Sequence, residues 1–127
     1  MTVLKWLFFV FIVGVAIYYF FPLVSVCGCS MFPTYRDGEI ILSTRLFKLG
    51  KIKPGDVMVF KQPYDKSRLL IKRVSEVYKD KSGRVQSIYF LGDNAPDSYD
   101  SRNFGYVLVE DLVSKVINPR KKEDYSL

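Results

Sequence analysis

A serine, a lysine and an acidic loop are the residues of this 127-residue chain whose types and spacing could do chemistry, and the chain contains no histidine. That absence removes Ser-His-Asp and Cys-His arrangements, and with them every metal site that needs an imidazole. A nucleophilic hydroxyl here would need another base, and a neutral lysine is the available substitute. Ser30 lies in VCGCSMFPT, residues 26–34, with Gly28 allowing close backbone approach before it and Pro33 fixing the chain direction after it. Lys72 lies in LLIKRV, residues 69–74. On a strand, Leu70, Lys72 and Val74 share one face while Leu69, Ile71, Arg73 and Ser75 share the other, which lodges the amine between aliphatic neighbours. Desolvation there lowers a lysine's pKa and makes it a usable general base. An edge-strand lysine that snorkels to water fits the same letters.

The acidic loop is GDNAPDSYDSRNFG, residues 92–105, which gathers Asp93, Asp97, Asp100, Ser98, Ser101 and Arg102. Such a composition suits a solvated loop, and equally a hydrogen-bonded network that fixes loop geometry, in which Ser98 could orient an amine. Cys27 and Cys29 sit too close in sequence for an easy disulfide and have no partners to close a zinc site. They read as small, partly buried side chains, and no metal or cofactor is implied.

These residues need elements to position them. From Trp6 to Phe21 the chain carries no charge, and PLVSV at 22–26 extends the apolar character. About 20 residues at about 1.5 Å each match the hydrocarbon thickness of a bilayer. The run is longer than the core of a secretory leader and has no Ala-x-Ala-like exit, so residues 1–26 are expected to be a retained membrane anchor. Trp6, Tyr18 and Tyr19 suit its two interfaces. Lys5 on one side and Arg36, Arg45 and Lys48 on the other leave its orientation open.

Residues 27–127 are expected to form one small domain, mainly β, with strands near 39–43, 57–61, 69–79, 85–92 and 106–117 separated by turn residues. One helical turn is expected at Glu110 to Lys115, and a frayed tail from 119 to 127. Regularly spaced short strands argue for an antiparallel sheet or small barrel tethered by one helix. All but one of the 19 Lys and Arg lie beyond the anchor, against 13 Asp and Glu, a balance that suits an anionic membrane surface. The basic residues are scattered and accompany no recognition motif, so nucleic acid is not an expected partner.

Taken together, SMFPT at 30–34, PGDVMVF at 54–60, IKRV at 71–74 and GDNAPDSYDSRNFG at 92–105 resemble type I signal peptidases, membrane-anchored serine proteases with a Ser-Lys dyad. Their order, their spacing and the N-terminal anchor agree with that family. The resemblance implies that Ser30 is the nucleophile and Lys72 the general base, with Ser98 helping to hold the lysine. It further implies that Arg73 pairs with Asp93 and Asp100 with Arg102 as supports. Met31 and Pro33 would shape the turn beside the scissile bond, and the Ser30 N–H would be one oxyanion donor. Two departures stand out. Gly28 occupies the place where some members carry a serine hydroxyl as second oxyanion donor, and the large insertion that many bacterial members carry between Arg73 and Asn94 is missing.

The substrate so implied is an exported preprotein with small residues at positions one and three before the cut, bound extended at a sheet edge. The catalytic domain would lie on the trans side of the membrane, extracytoplasmic or lumenal. The compact size also resembles maturation proteases of the same superfamily that trim one client, such as the precursor of nickel superoxide dismutase. A membrane-tethered β domain that binds exported chains without cutting them is the non-enzymatic alternative.

Overall fold

Eighteen residues, uncharged except for Lys5, form helix α1 (Val3–Phe20) in the computed structural model, which describes residues 2–122. At about 1.5 Å per residue the helix is about 27 Å long, and its mean hydropathy of 2.1 with no residue buried makes it long and apolar enough to cross a membrane. Its last carbonyls would be orphans. Instead, Arg45 donates from Nε to the Tyr19 carbonyl at 3.0 Å and from its own N–H to the Phe20 carbonyl at 2.8 Å. The same guanidinium lies 5.1 Å from the centroid of the Tyr19 ring. The cation thus satisfies the negative end of the helix from a neighbouring strand.

The apolar run does not continue as helix. Pro22 lacks the N–H to extend it, and its carbonyl instead accepts from the Ser43 N–H at 3.0 Å and the Ser43 hydroxyl at 2.8 Å. Leu23–Ser25 then forms strand β1, antiparallel to β2 (Ile40–Thr44), with Leu23 opposite Leu42 and Ser25 opposite Ile40. Three residues that hydropathy alone assigns to the anchor therefore belong to the sheet.

Five further strands follow: β3 (Val57–Gln62), β4 (Asp65–Lys79), β5 (Val85–Leu91), β6 (Val107–Leu108) and β7 (Leu112–Val116). Their order is β1-β2-β7-β3-β4-β5-β6, with every described pairing antiparallel. The architecture is mainly β with one N-terminal helix, as expected, and an open sheet rather than a closed barrel. The helical turn expected at Glu110 to Lys115 is instead a 3₁₀ turn at Val109–Asp111 that leads directly into β7. Pairing of β7 with β2 on one side and β3 on the other holds that segment extended, and tertiary context overrides the helical turn.

VMVF at 57–60 is buried throughout, because β3 lies inside the sheet with apolar material on both faces. Met58 and Phe60 join Val74, Ile88, Phe90 and Phe104 in one cluster, where the Phe60 and Phe90 rings stack with centroids 4.1 Å apart. Val57 and Val59 join Val26, Met31, Tyr35 and Ile71 in the other. The second cluster pins the loop after β1 to the sheet, since Met31 and Tyr35 come from that loop and are fully buried. Beyond Pro119, Arg120 is tied down as well: its N–H donates to the Tyr35 hydroxyl at 2.8 Å and its guanidinium pairs with Glu39. The remainder of the expected frayed tail, 123–127, lies outside the described residues.

One asymmetry in the sheet bears on the site. β4 pairs with β3 along residues 65–73, but β5 joins its other edge only from Arg73 onward. Among the described residues, the segment Leu69–Lys72 therefore presents a strand edge that no other strand occupies.

Candidate active site

Lys72 stands directly opposite Met58 in the β3–β4 ladder, between Leu70 and Val74 on the same face. Only 4% of it is exposed. Burial pushes its pKa down to about 8, a shift that the carboxylate charge of Asp100 partly opposes. Its Nζ lies 2.8 Å from the Ser30 hydroxyl and donates to the Ile71 carbonyl at 3.1 Å. The alternation read from LLIKRV is thus the alternation found, and the lysine does not snorkel to water. A hydroxyl beside an amine whose neutral form is accessible near neutral pH can give up its proton to that amine.

Ser30 is held from two sides. Met31, which follows it, is anchored in the second apolar cluster, and the Phe32–Pro33 peptide bond after that is cis. From the loop after β5, Asn94 donates its N–H to the Ser30 carbonyl at 2.8 Å and its side-chain amide to the Cys29 carbonyl at 2.9 Å. Gly28 has a φ of 87°, a conformation that residues with a Cβ rarely adopt, and its N–H donates to Asp37 at 2.9 Å. That N–H is consequently committed, whereas among the described residues no hydrogen bond engages the N–H of Ser30. Cys27 and Cys29 are free thiols and both exposed, rather than partly buried as expected.

The acidic loop is a network rather than a solvated turn. Asp100, fully buried, accepts five hydrogen bonds: from the Gly92 N–H, the Ser98 hydroxyl, the Arg102 N–H, and Nε and Nη2 of Arg102. Burial pushes its carboxyl up, but Arg102, Gly92 and Ser98 outweigh that and hold it at about 2, so it stays anionic. Asp100 also caps the short helix α2 (Ser101–Phe104) in a capping box with Asn103. Arg73 grips Asp93 through two parallel contacts of 2.8 Å each and donates to the Gly55 carbonyl at 2.9 Å. Both pairings that the resemblance implied, Arg73 with Asp93 and Asp100 with Arg102, are therefore present.

Ser98 differs from expectation. Its hydroxyl donates to Asp100 at 2.7 Å, and among the described residues no hydrogen bond joins it to Lys72. The single hydroxyl proton goes to the ionised acceptor two residues on. Two contributors escaped the sequence reading. Asn94 clasps the backbone on either side of the Cys29–Ser30 bond, and Gly92 leaves room for the site to close: a Cβ there would lie 2.0 Å from the Ser98 hydroxyl oxygen and 2.8 Å from the Ser30 carbonyl oxygen. The motif GDN had announced neither role, because both depend on which segment the loop folds against.

Along the unpaired edge of β4, Leu69 to Lys72 form one wall of a cleft of about 330 Å³ whose other wall is β1. Ser30 lies in its lining, and so does Ser114, a buried hydroxyl with no partner among the described residues.

With this geometry in view, comparison with known proteins is specific. The family model described as signal peptidase, peptidase S26, matches residues 1–81 and 78–119. The mitochondrial ATP-independent inner membrane protease subunit 1a of Arabidopsis thaliana is 33% identical over 113 residues, covering 72% of this chain and 67% of its own length. The mitochondrial inner membrane protease subunit 1 of Schizosaccharomyces pombe is 31% identical over 114 residues, 78% of this chain and 73% of its own. Signal peptidase I of Bacillus caldolyticus is 29% identical over 133 residues, with 70% and 73% covered.

Two outcomes follow from the geometry. Gly92→Ala forces Ser98 and the Ser30 carbonyl apart and is expected to cost roughly 1–3 kcal/mol in urea unfolding, whereas Gly83→Ala, with nothing within 4 Å of its Cβ, relieves no comparable contact and serves only to report the cost of a positive φ. Lys72→Met removes an amine whose charging the fold opposes. At pH 6.5 the amine is protonated in both folded and unfolded chains, so the full penalty applies and the variant should melt above the parent. Between pH 8 and about 10.5 the folded chain holds fewer protons than the unfolded one, so the parent gains stability as pH rises and the difference should shrink by pH 10.

Proposed function

The chain belongs to the signal peptidase family, peptidase S26, and is a membrane-associated serine endopeptidase; from that premise we propose that Ser30 is its nucleophile and Lys72 its general base. The observation that carries the reading is the 2.8 Å approach of the Ser30 hydroxyl to an amine that is almost wholly buried. In the working state Lys72 is neutral. Its lone pair takes the proton of Ser30 as Oγ attacks the scissile carbonyl carbon, and the N–H of Ser30 donates to the oxyanion that forms. As the tetrahedral adduct collapses, the C–N bond breaks and the Lys72 ammonium protonates the departing amine. Water, deprotonated by the same lysine, then attacks the ester carbonyl carbon; as that second adduct collapses the acyl C–Oγ bond breaks and the Lys72 ammonium returns the proton to Ser30 Oγ.

The preprotein lies extended in the cleft between β1 and the open edge of β4, adding a strand to Leu69–Lys72 by main-chain hydrogen bonds. The cleft is small and apolar-walled, which suits small residues at positions one and three before the cut. Arg73 with Asp93, and Arg102 with Asp100, hold the strand and the loop that carry the pair. Asp100 acts at longer range too, since its charge keeps the lysine pKa from falling further. Gly28 supplies no hydroxyl to the oxyanion and its N–H faces Asp37, leaving the Ser30 N–H as the assigned donor.

The catalytic domain works at the trans surface of the membrane. The trans side rests on the family resemblance; the position at the membrane surface is supported by the junction, where α1 runs into β1 after two residues and Arg45 fastens the helix end to β2, so Ser30 stands ten residues beyond the end of α1. An exported leader emerges at that same surface.

The solubilised protein should cut a preprotein after an Ala-x-Ala site, with the new N-terminus read by mass spectrometry, and Ser30→Ala should yield no product. Lys72→Arg, which places a permanently protonated guanidinium at the base position, should lower turnover by roughly 10²–10⁴-fold; near-parental turnover would sink the assignment of Lys72. The pH profile of kcat/KM should rise through about 8, because below it the free enzyme holds Lys72 as ammonium. A flat profile from pH 6 to pH 9 would contradict a lysine base.

A further inference from the structure

On the other side of the reacting pair lies a second cavity, of about 300 Å³, that shares Ser30 and Lys72 with the first cleft but is lined by Gln62, Arg68, Asp97 and Tyr99. Gln62 is the unusual member. It is 92% buried, as its relative exposure of 8% requires, and its Oε1 has no hydrogen-bond partner among the described residues. A buried amide oxygen left unpaired is costly, and native structures rarely tolerate one without a reason. The ladder between β3 and β4 shifts register between Lys61 and Gln62, and such bulges re-aim a side chain at the rim of a site. A chain threaded through the first cleft to Ser30 has to leave past Lys72 on this side.

We propose that the second cavity holds the first residues beyond the scissile bond, with the Gln62 carboxamide pairing to their main-chain peptide group. A carboxamide offers an acceptor and a donor in one plane, the complement of a peptide C=O and N–H. Tyr99, half exposed, forms an apolar wall for the accompanying side chain. The interaction reads backbone rather than side chain, so it serves preproteins whose mature ends differ. It also holds the leaving amine beside Lys72, the group that must protonate it. The inference rests on the reading of Ser30, Lys72 and the first cleft given above.

Binding rather than turnover tests it. Two fluorescein-labelled peptides are titrated against the Ser30→Ala protein in detergent by anisotropy: one spans six residues on each side of an Ala-x-Ala cut, and the other ends at the final Ala. The six added residues should tighten binding roughly tenfold, the scale of one or two hydrogen bonds. In Ser30→Ala/Gln62→Met that gain should vanish while the truncated peptide binds as before, a difference that loss of fold would not produce. Tyr99→Ala, at an exposed position, should reduce the gain in the same background and guards against misfolding of the Gln62 variant. A gain that survives Gln62→Met, or no gain from the added residues, overturns the proposal. If neither peptide binds the Ser30→Ala protein, the reading of the first cleft falls and this one with it.

Discussion

An amine removed from water is the constraint on which the rest of this structure depends. Lys72 is placed by strand pairing opposite Met58 and between two aliphatic side chains, where the ammonium form is disfavoured and the neutral form comes within reach of neutral pH. A chain without histidine has few other ways to obtain a base of that strength. The cost is stability, since a buried lysine weakens the fold wherever it must be charged. β3, buried on both faces, is the compensating element: it carries Met58 and Phe60 into one cluster and Val57 and Val59 into the other.

Desolvation alone would take the amine too far, and Asp100 sets the limit. Its carboxylate stays ionised because Arg102, Ser98 and the Gly92 N–H donate to it, and its charge draws the lysine pKa upward. The loop that supplies it closes on Ser30 through Asn94 and needs Gly92 for room. The pKa of the Lys72 amine and the position of Ser30 are thus governed by one segment, residues 92–102, and cannot be adjusted independently.

The junction between α1 and the sheet has a comparable economy. Arg45 satisfies the last carbonyls of the helix, and Pro22 turns the chain into β1, whose pairing with β2 begins at once. The same short strand forms one wall of the cleft beside Ser30. The helix junction and the wall of the cleft consequently share residues, and the edge of β4 that would otherwise invite aggregation faces this cleft.

By itself the sequence determined the elements whose signal is local. Hydropathy marked the helix, short β-type runs between turn residues marked β3, β4 and β5, and alternation within β4 lodged Lys72 among aliphatic side chains. The missing histidine turned Ser30 and Lys72 into a pair worth considering. Tertiary structure decided what depends on contacts between distant segments. It drew Leu23–Ser25 out of the apolar run into a strand, because β2 offered a ladder there, and held Leu112–Val116 as strand after a 3₁₀ turn where one helical turn was expected at Glu110 to Lys115. It brought Asn94 onto the backbone beside Ser30, 65 residues away in sequence from the Cys29 carbonyl it holds. A residue's face is a local property of the strand that carries it, whereas a residue's partner is fixed only when loops 42 and more residues apart have closed on one another.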